Sequence, residues 1–240
     1  MSDSYYELID DADPLGEKFA ATDLVRGTWT AAIQHAAPVS ALLVCALQRC
    51  APRDDIRLSR VVIDLLGPVP AEGDLWVRPR LECGGKQIEL VTAEMLGLGP
   101  NGEPRPRSEG RNRNPERDWD RNYVHSLDWR WLTLNEGPES WIKPLVDLVK
   151  GETMTPLERL FAVADCANDI GSKLDITNWT FLNTDLAVHV FRIPDGEWDR
   201  YPRENELRPR RHRDDGRHLV RRARRGRRHR AVRAGTPAPR

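Results

Sequence analysis

An acidic residue inside an apolar segment is the first feature of this sequence that could do chemistry. Asp165 lies in FAVADCAN, directly after Val163 and Ala164, in a stretch that is otherwise poor in charge. A carboxylate in such a place can accept a proton from an attacking water. The structural alternative is that it caps a neighbouring backbone amide or pairs with an arginine. Asp165 is therefore a candidate for either role.

The histidines give a weaker signal. His35 and His125 have no carboxylate or nucleophile partner that the sequence makes visible, so we assign them no role. His189 alternates with Val188 and Val190, which is typical of an ordinary strand histidine. The chain contains no Gly-x-Ser-x-Gly motif, no phosphate-binding loop and no dinucleotide fingerprint.

The cysteines and the apolar runs indicate a reduced, cytoplasmic protein. Cys45, Cys50, Cys83 and Cys166 form no CxxC pair and have no histidine at metal-ligand spacing, so we expect free thiols and no metal. No apolar run reaches the roughly 18 residues that a membrane-spanning helix needs. The acidic start, MSDSYYELIDDADP, does not resemble a signal peptide.

The zero net charge is the average of two unlike parts. Residues 199–240 contain sixteen Arg, no Lys and five acidic residues, a net of +11, which leaves residues 1–198 at −11. Taken as genuine protein, this tail is a disordered polycation that would bind nucleic acid in a salt-dependent way. The other interpretation is a GC-rich gene read out of frame after Trp198. Under either interpretation the tail lies outside the folded core.

The first half predicts one buried helix followed by strands. Residues 37–50 (APVSALLVCALQRC) are apolar nearly all round at helical spacing, with Pro38 in the first turn. Strands are predicted over 57–67, 75–83 and 86–96, the last two joined by the hairpin signal Gly84-Gly85. Residues 97–121 are rich in Gly, Pro and Arg and are interpreted as a linker.

The second half predicts a similar set of elements, a helix accompanied by strands. Thr155, Pro156 and Glu158 open a predicted helix over 155–168 with a capping box. Strands are predicted over 123–132, 140–149 and 181–192. The helix prolines lie 118 residues apart and the turn glycines, Gly73 and Gly196, lie 123 apart. Similar offsets at two places indicate a duplicated unit.

Two such units predict an α+β fold in which each curved antiparallel sheet wraps one helix. Joining the sheets edge to edge removes unpaired strand edges. This arrangement is the double hot-dog. The predicted boundaries are 1–96 for a structural first unit, 97–121 for the linker, 122–198 for a truncated catalytic second unit and 199–240 for the tail.

The order of these segments resembles the acyl-CoA thioesterase II family and its actinobacterial thioesterase-like relatives. The resemblance spans roughly residues 5–96 and 119–198. It rests on TWTAAIQHAAPVSALLV, RLSRVVIDLLGPVPAEGDLWV, RNYVHSLDWRWL, TPLERLFAVADCAN and FLNTDLAVHVFRIPDGEW. The resemblance implies a double hot-dog that hydrolyses fatty acyl-CoA without a metal or organic cofactor. We also expect a homo-oligomer that assembles through the hot-dog sheets.

The resemblance also implies a catalytic set on the second unit. The family orients an attacking water with an Asp on the helix, a Ser or Thr on the next strand and a Gln on a later strand. Asp165 matches the first of these, and Asn183 or Thr184 matches the second, depending on the register. The Gln has no match, because all three glutamines lie in the first half. By the 118-residue offset, Leu47 is the counterpart of Asp165, which leaves one working site.

Three hypotheses follow. The first is hydrolysis of acyl-CoA by water that Asp165 activates, with Asn183 or Thr184 assisting. The second is a hot-dog protein that binds acyl-CoA without cleaving it, which the absent Gln and the truncated second unit favour. The third is binding of nucleic acid through the basic tail.

Overall fold

A computed structural model describes residues 3–98, 104–106, 122–134, 137–171 and 182–202 of the 240-residue chain. The first half contains β1 (Ser4–Asp10), β2 (Glu17–Ala21), α1 (Ala36–Cys50), β3 (Arg60–Asp64), β4 (Asp74–Cys83), β5 (Leu90–Leu98) and β6 (Pro104–Pro106). The second half contains α2 (Asn122–His125), β7 (Leu127–Leu134), β8 (Gly137–Pro144), β9 (Asp147–Val149), α3 (Pro156–Ala164), α4 (Cys166–Gly171), β10 (Asp185–His189) and β11 (Asp199–Pro202).

The strands form two related sheets and one ribbon that joins the halves. The larger sheet has the order β6-β5-β4-β2-β1-β9, and the smaller has the order β11-β8-β7. The run β1-β2-β4 in the first half therefore corresponds to β7-β8-β11 in the second. β3 and β10 pair antiparallel across the halves, from Arg60 opposite His189 to Asp64 opposite Asp185. The predicted joining of two units edge to edge is present in this ribbon.

The two long helices lie side by side and run antiparallel at the centre of the core. The N-terminal end of α3 contacts the C-terminal end of α1, where Thr155 Oγ1 donates to Gln48 Oε1 at 3.0 Å. The predicted capping box is confirmed, because Glu158 N donates to Thr155 Oγ1 and Thr155 N donates to Glu158 Oε2. Large apolar side chains of both helices are almost fully buried, including Leu42, Val44 and Phe161. No helix in the described ranges is long and apolar enough to cross a lipid bilayer.

Most predicted elements of the first half are present. The helix over 37–50 and the strands β3, β4 and β5 occur where periodicity placed them. The hairpin loop between β4 and β5 is longer than the two glycines suggested, because pairing stops at Cys83 and resumes at Leu90. Gly85 is nevertheless required there, since a Cβ would lie 2.4 Å from the Ile88 carbonyl oxygen. β1 and β2 were not predicted.

Other features differ from the sequence prediction. The strand expected over 123–132 begins as the helical turn α2, because Ser126 N bonds back to the Asn122 and Tyr123 carbonyls. The helix expected over 155–168 is divided at Asp165 into α3 and α4. β6 lies within the predicted linker 97–121, and β11 lies within the predicted tail 199–240. The unit boundaries stay predictions, and the tail beyond residue 202 lies outside the described residues.

The two turn glycines support the duplication. Gly73 and Gly196 have φ of +90° and +80°, a conformation that favours glycine, and each lies shortly before the corresponding strand, β4 or β11. Aligning the two helices on their N-cap residues changes which residue of α1 is equivalent to Asp165. His35 caps α1 and Thr155 caps α3, so the helices are offset by 120 residues. The counterpart of Asp165 is therefore Cys45, and not Leu47.

Candidate active site

Asp165 lies where α3 ends, buried against the core. Its side chain belongs to a residue that is only 7% exposed, and α4 begins at the next residue. The helix positions it there because Leu157, Leu160 and Phe161 bury one face of α3 in the core. Asp165 also begins the next turn, since its carbonyl accepts from Asn168 N at 3.1 Å. The carboxylate is thus fixed at a helix end in a largely dehydrated place.

Of the two residues predicted to assist Asp165, the structure brings one to it. Asn183 Nδ2 donates a hydrogen bond to Asp165 Oδ1. The Thr184 side chain belongs to an exposed residue and donates to Asp185 Oδ1 at 3.3 Å. The Thr184 carbonyl accepts from Leu65 N and so holds the ribbon together. The sequence left open whether Asn183 or Thr184 would contact Asp165, and in the structure it is Asn183.

A third polar side chain comes from the first half of the chain. His35 Nδ1 lies 3.5 Å from Asp165 Oδ2, and both side chains are less than a tenth exposed. His35 is the N-cap of α1, and its Nδ1 accepts from Ala37 N at 3.2 Å. Nδ1 therefore faces both a backbone donor and a carboxylate oxygen. Neutral imidazole can cap the helix through Nδ1, whereas imidazolium can donate from Nδ1 to Asp165.

The sequence analysis missed His35 because the contact joins residues 130 positions apart. One signal could have found it. Two equivalent helices packed antiparallel place the first residue of one beside the last residue of the other. His35 directly precedes the first helix and Asp165 ends the second.

A buried tyrosine holds the His35 ring. Tyr123 stacks on it with ring centroids 4.0 Å apart and an interplanar angle of 17°. Tyr123 Oη donates to the Ala162 carbonyl at 2.7 Å and lies 3.2 Å from Cys166 Sγ. Burial, followed by the nearby Cys166, raises the pKa of Tyr123 well above its ordinary value. The ring thus stays neutral and rigid, and it fixes His35 against the end of α3.

Another buried tyrosine lies on the strand that the sequence analysis had assigned to the tail. Tyr201 on β11 is almost fully buried, and its hydroxyl has no hydrogen-bond partner among the residues that the structure describes. Burial, then the charges of Asp199, Cys166 and Asp165, raises the pKa of Tyr201 well above its ordinary value. Tyr201 therefore belongs to the same interior as the acid.

The other polar residues that could have joined the site either lie away from Asp165 or stabilise the fold. Gln34 is buried next to His35, but its amide accepts from Tyr6 Oη at 2.6 Å and donates to the Pro70 carbonyl at 2.8 Å. His189 lies on the β3–β10 ribbon, and His125 is exposed at the end of α2. Across the described ranges, no three His, Cys, Asp or Glu side chains are grouped closely enough to hold a metal ion.

The arrangement is suited to proton transfer. It combines a buried carboxylate, an amide that fixes one carboxylate oxygen, and an imidazole that faces the other. The acid and the amide come from the second half and the imidazole comes from the first half, so the site exists only where the halves meet.

Comparison with known proteins agrees with this division into halves. The model of the acyl-CoA thioesterase N-terminal domain matches residues 25–110, and the model of the corresponding C-terminal domain matches residues 101–206. No curated protein matches the chain. The C-terminal match reaches past residue 199 and includes β11.

Two solved structures are similar to the chain at low sequence identity. A conserved protein of unknown function with a hot-dog fold from Alicyclobacillus acidocaldarius is 10% identical, with a TM-score of 0.51 over 80% of this chain and 78% of that one. A candidate thioesterase II from Thermobifida fusca is 13% identical, with a TM-score of 0.48 over 82% and 81% of the two chains. The first of these confirms the predicted hot-dog fold. With both domain models matched in sequence order, the chain belongs to the acyl-CoA thioesterase family, a family of thioester hydrolases.

Proposed function

We propose that this protein hydrolyses fatty acyl-CoA thioesters to the free acid and CoA, with Asp165 as the general base. The observation that carries the proposal is a buried carboxylate held by Asn183 and faced by His35 at the junction of the two halves. A carboxylate in this place can accept a proton without competition from bulk water. The membership of the chain in a thioesterase family supports the reaction class.

The reaction needs two proton transfers at the carboxylate. Asp165 accepts a proton from water as the water oxygen bonds to the thioester carbonyl carbon. The tetrahedral intermediate then collapses, the carbon–sulfur bond breaks, and the CoA sulfur takes the proton back from Asp165. The products are the carboxylic acid and the CoA thiol, and Asp165 returns to its ionised state. No other reactant is required.

Asn183 and His35 are positioning residues in this proposal. The Asn183 amide fixes Asp165 Oδ1, which orients the carboxylate and leaves Oδ2 on the side of His35. An imidazolium at His35 would stabilise the ionised acid through Nδ1.

Release of CoA thiol from saturated acyl-CoA thioesters of increasing chain length tests the proposal. We expect turnover in the wild-type chain and its loss in Asp165→Asn. Tight binding of acyl-CoA without thiol release would instead support the non-catalytic hypothesis, which the absence of a matching Gln favours. We also propose that the protein acts as a homo-oligomer in the cytoplasm.

A further inference from the structure

All four tyrosines of the chain are buried, and one of them differs from the others in its hydroxyl group. In Tyr5, Tyr6 and Tyr123 the hydroxyl bonds to another group of the protein at 2.6–2.7 Å. The Tyr201 hydroxyl is also buried and has no hydrogen-bond partner among the residues that the structure describes. Such a hydroxyl destabilises the folded state, because it has lost its bonds to water and gained none. A native protein that keeps such a group needs a reason outside the fold.

Pairing with β8 fixes the side of the sheet on which Tyr201 lies. Tyr201 is opposite Ser140 and Asp199 is opposite Ile142, and both of these β8 residues are buried. Arg200, between Asp199 and Tyr201, is exposed. Because side chains alternate along a strand, Tyr201 and Asp199 face the helices and Arg200 faces away from them.

The start of β11 is anchored to α3. Arg159 Nη2, in the first half of α3, donates to the Gly196 carbonyl at 3.0 Å. Tyr201 follows Gly196 by five residues, which span up to about 16 Å when extended. The helix rises only about 9 Å from Arg159 to Asp165. The strand is therefore long enough to reach the end of α3 from this anchor.

The charged groups near β11 show that the strand follows α3 toward Asp165. Burial is the main cause of the raised pKa of both Asp199 and Tyr201, but the charges from α3 and α4 that act on them differ. The charge of Arg159 acts on Asp199 near the anchor. The charges of Cys166 and Asp165 act on Tyr201, two residues further along. Tyr201 thus lies beside the end of α3 that carries the acid.

We propose that the Tyr201 hydroxyl donates a hydrogen bond to the thioester carbonyl oxygen and stabilises the negative charge that develops there during hydrolysis. The inference rests on the proposed function and adds a catalytic residue to it. As the water oxygen bonds to the carbonyl carbon, the π electron pair moves onto the carbonyl oxygen, which accepts from Tyr201 Oη. When the pair returns, the carbon–sulfur bond breaks. Tyr201 keeps its proton throughout.

The surroundings of Tyr201 suit a donor and not a base. Burial and the nearby negative charges keep the pKa of Tyr201 well above its ordinary value, so the hydroxyl stays protonated at neutral pH. Asp165 and Tyr201 therefore have separate roles, since one accepts a proton and the other donates a hydrogen bond. A donor that is already buried and unpaired needs no reorganisation when charge develops on the substrate.

Tyr201→Phe removes only the hydroxyl and tests the inference. We expect kcat for acyl-CoA to fall by about 10²–10³-fold with little change in KM, as is usual when one oxyanion donor is lost. The midpoint of thermal unfolding should stay the same or rise, because the free protein loses no hydrogen bond. Tyr6→Phe is the matched control. It loses the bond to Gln34, so its midpoint should fall while kcat changes little.

A second measurement does not depend on turnover. A CoA ketone, in which a methylene group replaces the thioester sulfur, keeps the carbonyl and is not hydrolysed. With carbon-13 at that carbonyl, infrared difference spectra of the bound ketone report hydrogen bonding as a lower stretching frequency. We expect the frequency to be higher in Tyr201→Phe than in the wild-type chain or in Tyr6→Phe.

The outcomes separate this inference from the proposed function. Unchanged kcat or an unchanged carbonyl frequency in Tyr201→Phe overturns the inference, and so does failure of that variant to fold, since its hydroxyl has no bond to lose. Thioester hydrolysis still stands if the wild-type chain releases thiol and Asp165→Asn does not. A wild-type chain without turnover overturns the proposed function, and the carbonyl frequency alone then decides whether Tyr201 contacts the carbonyl. Failure to bind the ketone overturns both.

Discussion

The two ends of the antiparallel helix pair have the same packing geometry and different chemistry. At one end, Thr155 caps α3 and bonds to Gln48 of α1, and Glu158 completes the capping box. At the other end, His35 caps α1 and faces Asp165, where α3 stops. The duplicated fold therefore creates two equivalent places. Only one of them sets an acid against an imidazole from the other half.

Each end buries a carboxylate, which makes the comparison testable. Glu158 is 5% exposed and Asp165 is 7% exposed. Glu158 accepts from the backbone amide of Thr155, as a helix cap does. Asp165 accepts from a side-chain amide that arrives from the strand region of the second half. Burial alone thus does not distinguish the two carboxylates, and their hydrogen-bond partners do.

The largest expected effect comes from Asp165→Asn. We expect thiol release from acyl-CoA to fall by about 10²–10⁴-fold, because the base is lost while the side-chain shape is kept. Glu158→Gln is the matched control, since it neutralises the buried acid at the other end of the helix pair and glutamine still serves a capping box. Equal losses of turnover in the two variants would contradict the assignment of chemistry to one end.

Variants at Asn183 and Thr184 distinguish the two strand registers between which the sequence alone could not choose. We expect Asn183→Ala to lower turnover by about 10–100-fold, because Asp165 loses the group that orients it. Thr184→Ala removes an exposed hydroxyl that bonds only to Asp185 among the contacts described, and we expect no change. Steady-state kinetics decide the matter, and a larger loss in Thr184→Ala would show that the other register operates.

His35→Asn tests the contribution of the first half. Asparagine is a good N-cap, so α1 keeps its cap while the imidazole disappears. We expect a loss of turnover of up to about 10-fold and a changed pH profile, because the imidazole no longer faces Asp165 Oδ2. Thr155→Asn at the other end is the control. A pH profile identical to that of the wild-type chain would remove His35 from the site.

The smallest expected effect concerns Asp199, which begins β11. Burial raises the pKa of Asp199 to about 6, against an ordinary value of 3.8, although the charge of Arg159 opposes the shift. The folded state therefore binds the proton more tightly than the unfolded state, and the free energy of unfolding falls as pH rises from about 4 to about 6. Above that range the buried charge stays unfavourable.

Asp199→Asn should then stabilise the protein by about 1–3 kcal/mol at neutral pH and have little effect near pH 4. Urea unfolding at both pH values measures this. Asp195→Asn, at an exposed acid four residues earlier, should change little at either pH. No stabilisation by Asp199→Asn would mean that residues 199–202 do not pack as part of the second half.

The sequence predicted the parts of the fold that depend on local pattern. The apolar run of α1, the Thr155 capping box, and the glycines Gly73 and Gly196 each determine their structure within a few residues. The acid was also recognisable, because a charge inside an apolar helix is unusual. The duplication then predicted the architecture, since two similar helix-and-sheet units leave strand edges that can pair with each other.

The sequence could not predict features that depend on contacts between distant residues. The pairing of His35 with Asp165 follows from the antiparallel packing of two helices, which no local pattern shows. The start of the tail was placed at residue 199 because composition changes there. However, Tyr201 and Asp199 are held by β8, far earlier in the chain. A strand of four residues has too little periodicity to be recognised alone.

The claim that one site is shared by both halves is tested most directly by a double-mutant cycle. Turnover of acyl-CoA is measured in the wild-type chain, His35→Asn, Asp165→Asn and the chain that carries both changes. If His35 acts through Asp165, the double variant will be no slower than Asp165→Asn alone. Effects that multiply would show that the two residues act independently, and the account of a shared site would be wrong.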